Sequence, residues 1–338
     1  MRSVPYGLIC CFIEKVERKE NQMNRIDIRT DLALEAREDT RASGQSEKGV
    51  IFSEQEDEQT GIRVTTVQII SEEGAKSIGK PKGNYITLEA QALEIPDDDC
   101  HRQVSEKLAE NLRKLIDSVC ERESKETSQT LPSVLAVGLG NRAVTSDALG
   151  PRVVDELWIT RHLEDVSPKI SGIVPGVMAQ TGIESAQIAH AIVAETKPQV
   201  VIAIDALAAR SGSRLGTTIQ LTDTGIHPGS GVGNHRHSLT KESLGVPVIA
   251  IGVPTVVGAA AMIYDTVQTF SQILRQSGEE KAADWMDEQS PEERFQLIRE
   301  LVEPAFGPMM VTPKDIDERI NQLSHTIAEG INIALLGI

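Results

Sequence analysis

Two aspartates carry the chemistry this sequence offers. Asp147 lies in the loop after Val134-Leu135-Ala136-Val137, an apolar run that reads as a buried strand of a parallel sheet. Asp205 directly follows Val200-Val201-Ile202-Ala203-Ile204, a second run of the same kind. Parallel strands end on one edge of the sheet, and open α/β sheets bind their ligands there. The two carboxylates are therefore expected to face each other across one crevice. Carboxylates that close cannot easily both ionise, so one pKa rises and the pair shares a proton. The ionised member can activate water while the protonated member polarises a carbonyl. That is peptide hydrolysis without a metal. Taken singly, either aspartate is also what a helix cap or a turn would use.

The elements around the pair must hold it in place. Gly138 and Gly140 let the chain bend tightly after the first strand, and Pro151 suits the first turn of a helix over 151–163. Val153, Val154, Leu157 and Trp158 would line one apolar face of that helix. Further on, 170–174, 217–221 and 246–252 read as strands, with helices over 183–196 and 256–274 between and after them. Segments 297–302 and 315–335 read as closing helices. This alternation predicts an α/β fold with a doubly wound, mostly parallel sheet. Upstream, the β-branched run 62–70 and the segment 85–88 predict a small added β element beside the main sheet. Leu108, Leu112 and Leu115 place a helix over 104–120. Residues 24–48 are charged and weakly periodic, which predicts a mobile arm. The expected organisation is an N-terminal extension, 1–31, and one α/β domain, 32–338, with a β-rich insertion near 50–95. Met23 suits a natural start, which would make 1–22 an upstream extension.

Composition narrows the function. At 338 residues the chain can bury a large core, its net charge is −16, and aromatics are only 3%. An acidic surface repels phosphate backbones and argues against direct nucleic-acid binding. Cys10, Cys11, Cys100 and Cys120 form no C-x-x-C pair and read as reduced, cytosolic thiols. The apolar stretch 7–13 is too short to span a membrane and lacks a signal-peptide cleavage pattern.

Other candidates are weaker. Gly229-Ser230-Gly231-Val232-Gly233 is neither a dinucleotide fingerprint nor a Walker loop. Its glycines suit close contact with a substrate main chain, or simply a turn. Ser230 is not in G-x-S-x-G, because Pro228 stands at the first glycine position. His227, His235 and His237 cluster near this loop, either as metal donors or as solvated side chains. Arg210 and Lys241 could meet acidic groups of a substrate, or be surface charge.

Long stretches resemble one family. They are RTDLALEA at 29–36, TLEAQ at 87–91, GLGNRAVTSDALGP at 138–151, VPGVMAQTGIES at 174–185, VIAIDALAAR at 201–210, TDTGIHPGSGVGN at 222–234, GVPVIAIGVPTVV at 245–257 and MVTPKDID at 310–317. Together they resemble the germination proteases of spore-forming Firmicutes, atypical aspartic endopeptidases, over nearly everything from Arg29 onward. The resemblance implies an α/β core like that of hydrogenase maturation proteases, and degradation of small acid-soluble spore proteins in the spore core. It implies a homotetramer made as an inactive zymogen that cuts off its own N-terminal segment. It also puts the catalytic aspartates at Asp147 and Asp205. Ser146 departs from the family, standing where relatives have Pro.

The family's substrates are cut between an acidic and a large apolar residue, in a Glu-Phe/Ile-Ala-Ser-Glu context. Asp31-Leu32-Ala33-Leu34-Glu35 imitates that context. The resemblance thus implies a propeptide over 1–31 and self-cleavage between Asp31 and Leu32, favoured when pH falls. No cofactor is expected. The alternative is a metal-dependent peptidase of the hydrogenase-maturation type, with an ion between Asp147 and Asp205, with or without His227. A third reading is a non-catalytic module using the same crevice for a small anion; the missing phosphate loop argues against it.

Overall fold

The computed structural model describes residues 30–42, 48–95, 97–120, 131–227, 237–286 and 288–338. Expectations for 1–22, Met23, Cys10, Cys11, His235 and the loop residues Gly229, Ser230 and Gly231 lie outside the described residues. The chain opens with α1 (Ala33–Ala42), β1 (Val50–Glu56), β2 (Arg63–Ile69), α2 (Glu72–Ile78) and β3 (Gly83–Glu89). Then come α3 (Asp98–Val119), β4 (Val134–Gly138), α4 (Leu149–Glu156), β5 (Ile170–Ile173), α5 (Met178–Thr181), α6 (Ser185–Thr196), β6 (Val200–Ala209) and β7 (Thr218–Thr222). The last elements are α7 (Lys241–Leu244), β8 (Val248–Gly258), α8 (Ala259–Gln276), α9 (Glu280–Met286), α10 (Pro291–Phe306), β9 (Met310–Val311) and α11 (Ile316–Leu336).

All the strands join one sheet in the order β1-β2-β3-β7-β8-β6-β4-β5, with β9 paired to β8. Strands β5, β4, β6 and β8 run parallel, as the buried apolar runs demand. The other pairings are antiparallel. The α/β class is as expected, but the sheet is more mixed than the sequence suggests. The added β element is continuous with the main sheet, because β3 pairs with β7. Ile86, Leu88, Ile219 and Leu221 on those two strands are all buried. Joining them edge to edge also satisfies backbone groups that burial would otherwise strand.

Both faces are covered. On one, Leu108 and Leu112 of α3, Leu149 of α4, and Ile327 and Ile331 of α11 pack on Ala136, Ile202, Ile204 and Ile219. On the other, Ala189 and Val193 of α6 pack on Leu135, Val137, Val201 and Ala203. Among the described residues, no helix is long and apolar enough to cross a membrane.

Three local expectations need correcting. First, the arm is not mobile over its described part. Leu32, Ala33 and Glu35 have no exposed surface. Leu32 joins the core with Leu139 and Leu207, and Ala33 packs with Val67, Ile69 and Tyr85. Averaging over a charged region hid a short apolar anchor. Secondly, α4 ends at Glu156, because Leu157 turns to an extended conformation. Trp158 is consequently 62% exposed instead of lining a helix face. Thirdly, β6 continues through Asp205 to Ala209, since β8 accompanies it that far.

Candidate active site

The loop carrying Asp147 is folded back by close backbone contacts that only glycine allows. Gly140 adopts φ +117°, and a Cβ there would lie 2.0 Å from the Asp147 carbonyl oxygen. The space is used by the Asn141 N–H, which donates to that carbonyl at 2.9 Å. Gly150 sits against the Ile204 carbonyl, where a Cβ would come within 2.4 Å. The Leu139 N–H donates to the same Ile204 carbonyl at 2.8 Å, so this loop is pinned to the residue before Asp205. From the other side the buried Thr255 hydroxyl donates to the Ser146 carbonyl at 2.7 Å. Asp147 is partly buried within this frame.

Asp205 is inside β6 but at a step in the sheet. Its neighbour β4 stops at Gly138, opposite Ile204, so Asp205 is the first residue beyond that partner. It is buried, and its carboxylate accepts from the Ala206 N–H at 2.9 Å. Across the sheet Asp205 pairs with Gly252, and Gly252 pairs with Gln220. A cavity of about 70 Å³ opens here, lined by Asp205, Gln220, Gly252, Asp31, Lys80 and His227 among others. Asp147 is not part of that lining.

The segment Thr30–Glu35 is docked into the same place. The Asp31 N–H donates to the Ala208 carbonyl at 3.2 Å, and the Ala208 N–H donates to the Asp31 carboxylate at 3.0 Å. The segment therefore lies against β6 beyond the end of β4, tied there by one main-chain and one side-chain hydrogen bond. The Ala33 N–H donates to Gln220 Oε1 at 2.7 Å, and Gln220 Nε2 donates to the Asp31 carbonyl at 3.2 Å. Lys80 Nζ donates to the Thr30 and Asp31 carbonyls at 2.8 and 3.2 Å. Four residues on, the buried Glu35 carboxylate accepts from the Arg210 and Ser211 N–H groups at 2.9 and 3.1 Å, and from the Thr30 hydroxyl. Arg214 Nε lies 3.4 Å from it.

A profile of the germination protease family matches residues 27–285 and 284–337. This chain belongs to the germination protease family. The germination protease of Caldanaerobacter subterraneus subsp. tengcongensis is 44% identical over 320 residues, covering 92% of this chain and 94% of that one. Those of Clostridium perfringens and Priestia megaterium are 42% and 39% identical, covering 91% and 94% of this chain and 95% and 96% of theirs. Among solved structures, a [NiFe] hydrogenase maturation protease, HycI from Thermococcus kodakarensis, covers 66% of this chain and 99% of its own at 17% identity, with a TM-score of 0.31.

Within this germination protease, the remaining sequence candidates fall as follows. Arg210 meets the acidic Glu35, through its backbone N–H. His227 lines the Asp205 cavity. Its pKa is held below the usual imidazole value, chiefly by desolvation and then by the Lys80 charge. Among the described residues, no three His, Cys, Asp or Glu side chains gather so as to hold a metal ion. Sequence reasoning missed Lys80, Gln220 and Arg214 as contributors, and gave Glu35 only its place in the substrate-like context. Gln220 had one usable signal, a lone amide in the buried strand Thr218–Thr222, every residue of which is buried.

Proposed function

We propose that this germination protease is an aspartic endopeptidase that opens the degradation of small acid-soluble spore proteins in the spore core. In this reading it is made as a zymogen and processes itself between Asp31 and Leu32. The observation that carries it is the docked Thr30–Glu35 segment. It imitates the family's substrate context, lies beside Asp205, and has both its acidic side chains caught by fixed donors. A spore protein would dock the same way once the propeptide leaves. The strand edge would hold its main chain, the Ala208 N–H its acidic residue before the cut, and the Glu35 cradle its second acid.

The two aspartates then divide the work. The ionised carboxylate takes a proton from water as the water oxygen bonds to the Asp31 carbonyl carbon. The carbonyl π pair moves onto its oxygen, which the protonated carboxylate assists. Collapse breaks the bond to the Leu32 nitrogen, which receives a proton and leaves as an amine. The cavity beside Asp205 is large enough to admit the attacking water. We also read the enzyme as a homotetramer. Exposed Met262, Phe270 and Ile273 on α8, and Leu301 and Phe306 on α10, supply apolar surface for such an assembly.

The test is chemical. Asp147→Asn and Asp205→Asn should each abolish cleavage of a spore-protein substrate while keeping native thermal unfolding. The processed wild-type chain should begin at Leu32. Substantial activity in either variant would remove that residue from the mechanism.

A further inference from the structure

We propose that Lys80 and Gln220 are catalytic residues that stabilise the oxyanion formed when the Asp31–Leu32 bond is cut. The inference rests on the reading that this bond is the processing site and Asp205 part of the catalytic pair. Of all the carbonyls in the docked segment, that of Asp31 collects two side-chain donors, Lys80 Nζ and Gln220 Nε2, each at 3.2 Å. It is the carbonyl of the bond to be broken. Both donors line the same cavity as Asp205, the side from which an activated water would come.

Neither donor is left to wander. Gln220 is buried in β7, and its Oε1 accepts from the Ala33 N–H at 2.7 Å. That contact fixes the amide, turning its N–H toward the Asp31 carbonyl. Lys80 follows the αL residue Gly79 that ends α2, and its ammonium also spans to the Thr30 carbonyl at 2.8 Å. The next residue, Pro81, is tied through its carbonyl to the buried Tyr85 hydroxyl at 2.8 Å. Burial pushes the Tyr85 pKa up to about 12, so the phenol keeps the proton it donates.

As water adds to the Asp31 carbonyl, its oxygen goes from a neutral acceptor to an oxyanion. A fixed amide and an ammonium aimed at that oxygen are then worth much more than in the ground state. The 3.2 Å distances are long for an oxyanion contact, and such contacts commonly tighten only as the transition state forms. The protonated carboxylate supplies one neutral donor to this oxygen, and no positive charge. As the ionised acid takes the water proton, the pair's single negative charge passes to the carbonyl oxygen, and Lys80 is the ammonium at hand to meet it. A spore protein docked on the same edge would present its scissile carbonyl to the same two donors.

The experiment follows self-cleavage of the full chain as a first-order rate, with the new N-terminus sequenced. In parallel it measures hydrogen-exchange protection of the Asp31 and Ala33 amides, which reports docking. Lys80→Met removes the charge, Lys80→Arg restores it, and Gln220→Glu keeps the acceptor for Ala33 but removes the donor. Lys80→Met and Gln220→Glu should each slow cleavage at least about 100-fold, the loss typical of one oxyanion donor, with protection retained. Lys80→Arg should recover most of the rate. An unchanged rate with docking intact, or a loss of rate matched by loss of protection, overturns the proposal. The reading beneath it fails separately, if Asp205→Asn cleaves at the wild-type rate. A wild-type chain that never cuts at Asp31–Leu32 sinks both.

Discussion

Gln220 and Asp205 stand in one row of the sheet, each paired with Gly252 of β8 from opposite sides. Side chains in one row of a sheet point to the same face, and the two residues are two strand spacings, about 10 Å, apart. The glycine between them keeps that face low, and the cavity under the docked segment opens there. Gln220 donates to the Asp31 carbonyl, and Asp205 and Asp31 both line that cavity. The register of three strands sets the spacing, so no flexible loop is involved.

This makes Gly252 a sensitive position. A Cβ there would come within 2.5 Å of Leu207, which packs across the row. Gly252→Ala should cost about 1–3 kcal/mol of stability through overpacking. It should also reduce cleavage by more than the stability loss explains, because Leu207 is pushed toward the cavity. Chemical denaturation alongside the rate of spore-protein cleavage checks this, and a stable variant with full activity contradicts it.

Gly140 should be less forgiving still. Its φ of +117° disfavours any side chain, and its Cβ would strike the Asp147 carbonyl. We expect Gly140→Ala to cost about 2–3 kcal/mol and to displace Asp147, lowering cleavage sharply even in the folded fraction. Gly182→Ala is a useful control. It has positive φ too, but a Cβ there meets nothing within 4 Å, so its cost should be strain alone.

The strands that lead to Asp147 and Asp205 were legible in their apolar runs and, before Asp147, in a glycine turn. The partners of the Thr30–Glu35 segment were not. Lys80 lies in a charged loop that resembles any surface turn, and it reaches Asp31 only because α2 and β3 place that loop over the segment. Gln220 acts through a register shared by β6, β8 and β7, which no local pattern encodes. Glu35 stands as the second acid of the substrate-like context, but its partner Arg214, from nearly two hundred residues away, was not legible. The parallel half of the sheet followed from continuous apolar runs. The antiparallel half did not, since buried strands of either direction look alike in sequence.

His227 should make the fold acid-sensitive. Its pKa in the folded protein lies below the ordinary value of 6.5, because desolvation and Lys80 both disfavour the imidazolium. A depressed folded pKa gives stability that is fully present above the unfolded pKa and is lost as pH falls toward and through the folded one. Thermal stability should therefore fall on acidification below about pH 6.5, and His227→Gln should remove that part of the dependence. An NMR titration of the His227 ring at or above the free value would contradict the assignment.

Assembly can be probed on α8. Phe270 and Ile273 are half exposed and lie on one side of that helix, with Met262 two turns earlier. If this surface is buried between copies of the chain, Phe270→Glu should lower the solution mass, because burying the charge would be costly. Light scattering at micromolar concentration reads the result. A wild-type monomer would contradict the homotetramer.

The last prediction concerns the register of the cut. The Glu35 carboxylate is fully buried and held by two backbone N–H groups, the Thr30 hydroxyl and Arg214. Arg214 also bridges Glu38 and Glu89 at 2.8 and 2.6 Å, so it is a hub that fastens the segment to β3. Removing Arg214 leaves Glu35 buried with its hydrogen bonds but without its counter-charge. Breaking a buried pair in that way costs about 3–5 kcal/mol. Arg214→Met should thus lower stability by about 3 kcal/mol, the low end, because the neutral donors remain. Glu38→Gln, at the more exposed end of the same hub, should cost under about 1 kcal/mol. The functional effect should differ in kind. With Glu35 held by neutral donors alone, the four-residue spacing from Asp31 is enforced less strongly, and the segment can slide along the strand edge. Hydrogen-exchange protection at Leu32–Ala36 should fall, and new N-termini should spread to either side of Leu32. N-terminal sequencing of the Arg214→Met products decides it. A single start at Leu32 at the wild-type rate would mean that the strand edge alone sets the register and that Glu35 contributes only to stability.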